Sequence, residues 1–256
     1  MDRENVLDLA LKRSHMRGAP CDACGVRDLS LCSAMEPEHI GKLSSIVSGS
    51  EIGPGQALFF EGDKAENLYV IREGCARIYK LLADGRRMIT GFLFPSDIVG
   101  LAEGSEYVYG CEAITRLSVC RFPRPKLETL MEEFPSLERQ MLRMATNELA
   151  AAQDQMMLLG RKTASEKLAS FLHLLSMRNA RRGADRRVLS LPMSRSDIGD
   201  HLGLTTESVS RCFTQLRRTG LIQVDAARSV TILDHDGLLG MTGISDPGFE
   251  PHSAAI

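Results

Sequence analysis

The chain has 256 residues, 43% hydrophobic and 25% charged, with a formal net charge of -2. That composition suits an ordinary soluble globular protein of one large or two modest domains, and excludes a disordered or fibrous one. No stretch approaches the ~20 apolar residues of a membrane span.

The opening residues, MDRENVLDLALKRSH, mix in acidic side chains and lack an apolar core with a small-residue cleavage site. They are not expected to be a secretion signal, so the protein is placed in the cytoplasm. Seven cysteines in a reducing compartment suggest metal, redox chemistry or burial before disulfides. The net charge hides an asymmetry. From Arg161 to Arg228 there are 13 Lys and Arg against 6 Asp and Glu, a surplus of +7 that leaves the remainder at -9. A basic C-terminal module on an acidic body fits a protein that meets a polyanion with one end.

Residues 1–49 read as an irregular or briefly helical lead-in, a cysteine-bearing stretch from Cys21 to Cys32, and a helix over Glu36 to Val47 with Ile40, Leu43, Ile46 and Val47 at helical spacing. Over 50–130 the pattern changes. The runs ALFF, LYVI, ARIYKLL, MITGFLF and SVCRF alternate with GPG, EGD, REG, ADG and FPSD, the mark of a small antiparallel barrel or sandwich. Residues 131–161 then read as a long helix, roughly Pro135 to Gly160. Met141, Ala145, Leu149, Ala152, Met156 and Leu159 are assigned to its seam; the steps from Ala145 onward are 4, 3, 4, 3, a heptad spacing that predicts pairing with a second copy.

Residues 162–239 begin with Thr163-Ala164-Ser165-Glu166, a capping box that opens another helix. A basic loop, ARRGADRR, and a short strand at Val188 to Leu191 follow. Residues 240–256, with SDPGFEPHS, read as a disordered tail.

The densest information lies in Ser194 to Asp225, SRSDIGDHLGLTTESVSRCFTQLRRTGLIQVD. Ser194 caps one helix with Ile198 and Leu202 inward; Gly203 permits a tight turn; Thr205 caps a second helix with Val209, Phe213 and Leu216 inward. Two short helices so joined form a helix-turn-helix, and LIQV with SVTIL supply a wing that turns at Asp225 to Arg228. The second helix presents Thr206, Glu207, Ser210 and Arg211 outward, side-chain types that reach base edges in a major groove. Arg217, Arg218 and Arg228 lie where phosphates would run. Glu207 and Arg211 also suit an i,i+4 surface ion pair, which would orient the arginine.

Here the sequence resembles a known family. IGDHLGLTTESVSR is similar to the recognition motif of the Crp–Fnr superfamily, and its ESVSR ending resembles the Fnr and FixK branch. The resemblance implies an α+β fold: an N-terminal jelly-roll β-barrel of the cyclic-nucleotide-binding kind, a dimerisation helix and a C-terminal winged helix-turn-helix. It further implies a homodimer on double-stranded DNA, a palindrome with TTGAT-like half-sites, and RNA polymerase as a partner. Glu207, Ser210 and Arg211 match the family's base-reading positions. Crp members bind a cyclic nucleotide through a Gly-Glu pair and an Arg-Ser or Arg-Thr. The corresponding stretch, FPSDIVGLAEGSEYVYGCEAITR, lacks that arrangement, with Tyr109-Gly110-Cys111 in place of the arginine, so no cyclic nucleotide is expected.

Cys21-Asp-Ala-Cys24, seven residues and then Cys32 can wrap one metal centre, with a fourth thiolate from elsewhere; an iron–sulfur cluster and zinc both accept that set. The spacing resembles the alphaproteobacterial FnrL and FnrN subgroup, and so implies an oxygen-responsive [4Fe-4S] regulator of low-oxygen genes. Zinc, or no metal as in FixK-like members, is the alternative. The fourth ligand is Cys75, Cys111, Cys120 or Cys212. If 111–120 is one strand, Cys111 shares a face with Ala113, Leu117 and Val119 in the core, whereas Cys120 points outward. LSVCRFPR also resembles the family's fourth-cysteine segment, so Cys120 is chosen. Enteric Fnr carries an acidic residue where this chain has Ala152, so repulsion between subunits would be weaker here. An enzyme built on the barrel would need histidine or glutamate ligands inside it. All six histidines (His15, His39, His173, His201, His235, His252) lie outside residues 50–130, and no enzymatic activity is expected.

Overall fold

The structure, a computed structural model, describes residues 21, 24–102, 104–225 and 228–243. The expected lead-in over residues 1–20 and the tail beyond residue 243 lie outside the described residues. Contacts divide the chain into two compact units: one reaches Lys80 and resumes over Thr90–Ala145, the other holds Leu81–Ile89 and continues from Thr146.

In the first unit, short 3-10 turns at Arg27–Leu29, Leu31–Ala34 and Pro37–His39 lead into α1 (Ile40–Ile46). Eight described strands follow: β1 (Ser48–Ile52), β2 (Ala57–Phe59), β3 (Asn67–Glu73), β4 (Ala76–Leu81), β5 (Arg87–Leu93), β6 (Ile98–Val99), β7 (Gly110–Ala113) and β8 (Leu117–Pro123); Leu81 of β4 and Arg87–Ile89 of β5 belong to the second unit. They make two four-stranded sheets, β1-β8-β3-β6 and β2-β7-β4-β5. The five apolar runs of the sequence became β2, β3, β4, β5 and β8. Strands β1, β6 and β7 are too short or too polar to announce themselves, and exist because a neighbour supplies their hydrogen bonds.

Two apolar clusters show what each face of the first sheet does. Ile52, Tyr69, Ile71, Leu117 and Val119 point between the sheets, with Phe59, Ile78, Leu93, Cys111 and Ala113 from the other side. Leu68, Val70 and Phe122 face the opposite way, where Leu31, Met35, Ile40 and Leu43 of the N-terminal segment and Leu127, Leu130 and Leu137 cover them. That period of two lets one strand serve two cores. Helices α2 (Arg124–Glu133) and α3 (Pro135–Arg161) come next.

The second unit contains α4 (Ala164–Arg181), β9 (Val188–Ser190), α5 (Arg195–Leu202), α6 (Thr206–Arg218), β10 (Ile222–Asp225), β11 (Ser229–Ile232) and α7 (His235–Gly240). Thr163 and Glu166 close the capping box at the start of α4. The three strands form a sheet in the order β10-β11-β9. The tail does not begin at residue 240 as the sequence suggested. Thr242 is fully buried and its hydroxyl donates to Leu239 O at 2.7 Å, because α7 seats Leu238 in the core.

Candidate nucleic-acid interface and cysteine site

The helix-turn-helix is built from local instructions. Ser194 Oγ accepts from Asp197 N at 3.0 Å while Asp197 Oδ2 accepts from Ser194 N at 2.9 Å, so α5 opens with both free donors satisfied. Gly203 ends it in the left-handed conformation at φ 63°, which a side chain would strain. The turn is tight for a second reason: a Cβ on Gly199 would stand 2.6 Å from Leu204 O. Thr205 Oγ1 then accepts from Ser208 N at 3.1 Å and starts α6. Val209, Phe213 and Leu216 are buried, with Cys212 beside them.

The opposite face of α6 is exposed and carries Thr206, Glu207, Ser210 and Arg211. Arg211 Nη1 lies 3.4 Å from Glu207 Oε1, the i,i+4 pair that the spacing allowed. Ser210 turns its hydroxyl back to Thr206 O at 2.9 Å. Arg217 and Arg218 are exposed in the last turn of α6. Arg228, at the β10–β11 turn, holds φ 59°, and its Nη1 donates to Pro192 O at 3.1 Å. A phosphate would have to draw it from that carbonyl. Arg195 was not singled out from sequence: its guanidinium stacks 3.1 Å from the Phe213 ring centre, and burial lowers its pKa to about 10.

On α3, Leu149 and Met156 are 60% and 65% exposed, and Ala145 before them and Ala152 between them are exposed as well. Leu159 is half-buried, close to Gly203. Met141 departs from expectation, since it packs against the apolar cluster of its own unit. Leu142 is 67% exposed instead. The physical reason is register: continuing the alternation back from Ala145 requires a step of three, which reaches residue 142.

The four cysteines of the expected metal set are half-buried, whereas Cys75, Cys111 and Cys212 are buried. Residues 111–120 form two strands, not one, yet the parity survives because Ala113 and Leu117 both face the inner core. Cys111 lies wholly inside that core. Cys120 sits opposite Gly49 on β1 and Val70 on β3 and packs with Cys21 and Cys32 against the outer cluster. Burial pushes the Cys32 thiol up to about 11, and the nearby Cys21 and Cys24 raise it further against the effect of Ser30. Burial likewise brings Cys120 to about 12; Arg72 opposes the shift, and Cys32, Cys24 and Cys21 add to it. Charge on Cys21 or Cys24 would therefore be felt at both Cys32 and Cys120. Soft donors that repel as thiolates in an apolar setting suit a soft cationic centre, which would reverse the sign of their interaction. Among the described residues, however, no three His, Cys, Asp or Glu side chains stand close enough together to hold a metal ion.

Between the sheets, Phe59 stacks on Tyr107 with ring centres 3.8 Å apart, and Tyr69 and Tyr109 stand 5.9 and 6.0 Å away. Tyr107 donates its hydroxyl to Asn67 O at 2.7 Å. No described helix is long and apolar enough to cross a membrane.

A jelly-roll unit followed by a long helix and a winged helix-turn-helix defines a DNA-binding transcription regulator. Residues 50–134 match the cyclic nucleotide-binding domain family, and 166–241 the Crp-like helix-turn-helix domain. The chain is 41% identical to the transcriptional activatory protein AadR of Rhodopseudomonas palustris, over 88% of this chain and 95% of that one. It is 34% identical to the transcriptional activator protein FnrL of Cereibacter sphaeroides, over 90% and 95%. The solved structure of FixK2 from Bradyrhizobium japonicum superposes with a TM-score of 0.73 at 36% identity, covering 78% of this chain and 100% of that one. The chain belongs to the Crp–Fnr family of transcription regulators, in its Fnr/FixK/AadR branch. It is a DNA-binding transcriptional activator of that type and not an enzyme.

Proposed function

We propose that this activator responds to oxygen through a [4Fe-4S] cluster held by Cys21, Cys24, Cys32 and Cys120. The observation that carries the reading is the outward Cys120, half-buried in the apolar cluster that also receives Cys21 and Cys32 from the N-terminal segment. When bound, the cluster supplies a cross-link whose survival depends on oxygen. The chain's own residues do the rest. Leu31, Met35, Ile40 and Leu43 dock the cysteine-bearing segment on the outer face of the first sheet, and Leu137 of α3 packs in the same cluster. A change in that segment is thus felt at the base of the helix that carries the dimer seam. Leu142, Ala145, Leu149, Ala152 and Met156 pair two copies; Ala152 puts no charge between them, so some dimer persists in air.

Each copy reads one TTGAT-like half-site of a palindrome. Arg211 forks onto guanine with Glu207 beside it, Thr206 and Ser210 contact base edges or sugar, and Arg217, Arg218 and Arg228 engage phosphates. RNA polymerase is the partner at the promoter, and the protein works in the cytoplasm on low-oxygen genes. No cyclic nucleotide is used. In support, Phe59, Tyr69, Tyr107 and Tyr109 crowd the space between the sheets, and apolar Cys111 stands where the phosphate-binding arginine would be needed.

An absorption spectrum of anaerobically purified protein tests the sensor. A broad band near 400 nm and about four irons per chain are expected. Cys120→Ser should remove both, and Cys111→Ser should keep both. Iron retained by the Cys120 variant and lost by the Cys111 variant would reverse the ligand assignment. A second reading, the same scaffold with zinc or no metal, is supported by 39% identity to the nitrogen fixation regulation protein FixK of Bradyrhizobium diazoefficiens. Zinc alone in the metal analysis would select it.

A further inference from the structure

We propose that Arg87 is a positioning residue for DNA binding: its guanidinium holds α5, the first helix of the helix-turn-helix, through Asp197 and Asp200. Arg87 belongs to the segment Leu81–Ile89, which lies in the same compact unit as α5. Its Nη2 donates to Asp197 Oδ1 at 2.9 Å and to Asp200 Oδ2 at 2.9 Å, and its Nε reaches Asp200 Oδ2 at 3.3 Å. Two residues on, Ile89 O accepts from His201 Nδ1 at 3.1 Å. Asp197, Asp200 and His201 are spaced i, i+3 and i+4, so one strip of the helix meets one short length of extended chain.

The fork is placed where its loss would matter. The Asp197 side chain is only 7% exposed. Its other oxygen, Oδ2, accepts from the Ser194 backbone N–H at 2.9 Å and hydroxyl at 2.7 Å, and Arg87 brings a positive charge to Oδ1. Taking a cation away from a buried carboxylate is costly, and a forked arginine is the side chain that fixes orientation as well as charge. His201 is 1% exposed and neutral, since burial pushes its pKa down to about 4; its Nδ1 therefore carries the proton given to Ile89 O. From another side, Gln155 Nε2 donates to His201 O at 2.9 Å. Residues 87, 89 and 155 thus fix the helix against which α6 is set. Removing Arg87 would loosen α5 and unmask two carboxylates beside a polyanion. Both effects weaken DNA binding.

The test uses full-length protein carrying Arg87→Gln, Arg87→Lys, Asp200→Asn, or the Gln and Asn changes together. Dissociation constants are measured on a TTGAT-type palindrome and on a scrambled duplex, with amide exchange followed across Arg195–Leu202. Arg87→Gln should raise both constants about tenfold, as loss of a charge-assisted pair would. It should also speed exchange in α5 more than in α4. Arg87→Lys should fall between wild type and Gln, and the double variant should be no weaker than Arg87→Gln, because the partners act as one unit. Wild-type affinity and exchange in Arg87→Gln would overturn the proposal, as would additive losses in the double variant. Should Arg87→Gln fail to fold, wild-type behaviour of both Arg87→Lys and Asp200→Asn would overturn it equally.

Discussion

The winged helix and the cysteine site are finished in different ways. Every helix of the former opens on a cap that lies one residue before it, and its inward apolar residues are buried within the same unit. The cysteine site is drawn from Cys21, Cys24 and Cys32 on one side and Cys120 on the other, and besides burial the neighbouring thiols raise the pKa of Cys32 and of Cys120. The exposed Leu149 and Met156 on α3 are unfinished in a similar sense. A region that satisfies its own groups is a scaffold; one that leaves apolar or like-charged groups facing each other is where a partner or cofactor contributes the missing energy.

Breaking an unfinished surface should have the largest effect. Met156→Glu would place a charge in the seam of each copy, and sedimentation should then show monomers with DNA affinity reduced more than tenfold; an unchanged dimer would move the seam elsewhere. Within the finished region the cost should be one of stability, not assembly. Phe213→Ala deletes a buried ring that also carries Arg195, and should cost about 3–5 kcal/mol in denaturant unfolding of the winged helix. Arg211→Ala touches no core. It should leave stability intact and lose about 1–3 kcal/mol on the palindrome, with discrimination relaxed at one guanine; the same loss on scrambled DNA would reduce Arg211 to a phosphate contact.

The smallest effect at neutral pH is acid sensitivity. His201 is buried neutral with its pKa lowered to about 4, so its contribution to stability is complete above the unfolded value near 6.5 and is lost as pH falls from there toward 4. Unfolding of wild type against a His201→Phe variant between pH 7 and 5 should show the steeper decline in wild type. Equal slopes would mean that the imidazole is reached by water.

Much of this was legible because it depends on neighbours in sequence. Ser194, Asp197, Gly203 and Thr205 fix both helices of the reading head by backbone hydrogen bonds and one left-handed turn, and alternation along β8 turned Cys120 away from Leu117 and Val119 in the inner core. What sequence could not supply needs positions far apart in the chain. The short strands β1, β6 and β7 exist only by pairing, and Met141 rather than Leu142 is drawn into the core because α3 rests on its own unit at that turn. In the sequence Arg87 stands in ADGRRM with nothing to mark it. It becomes the counterion of a buried carboxylate 110 positions away because a charge can leave water only where a folded chain brings its opposite to meet it.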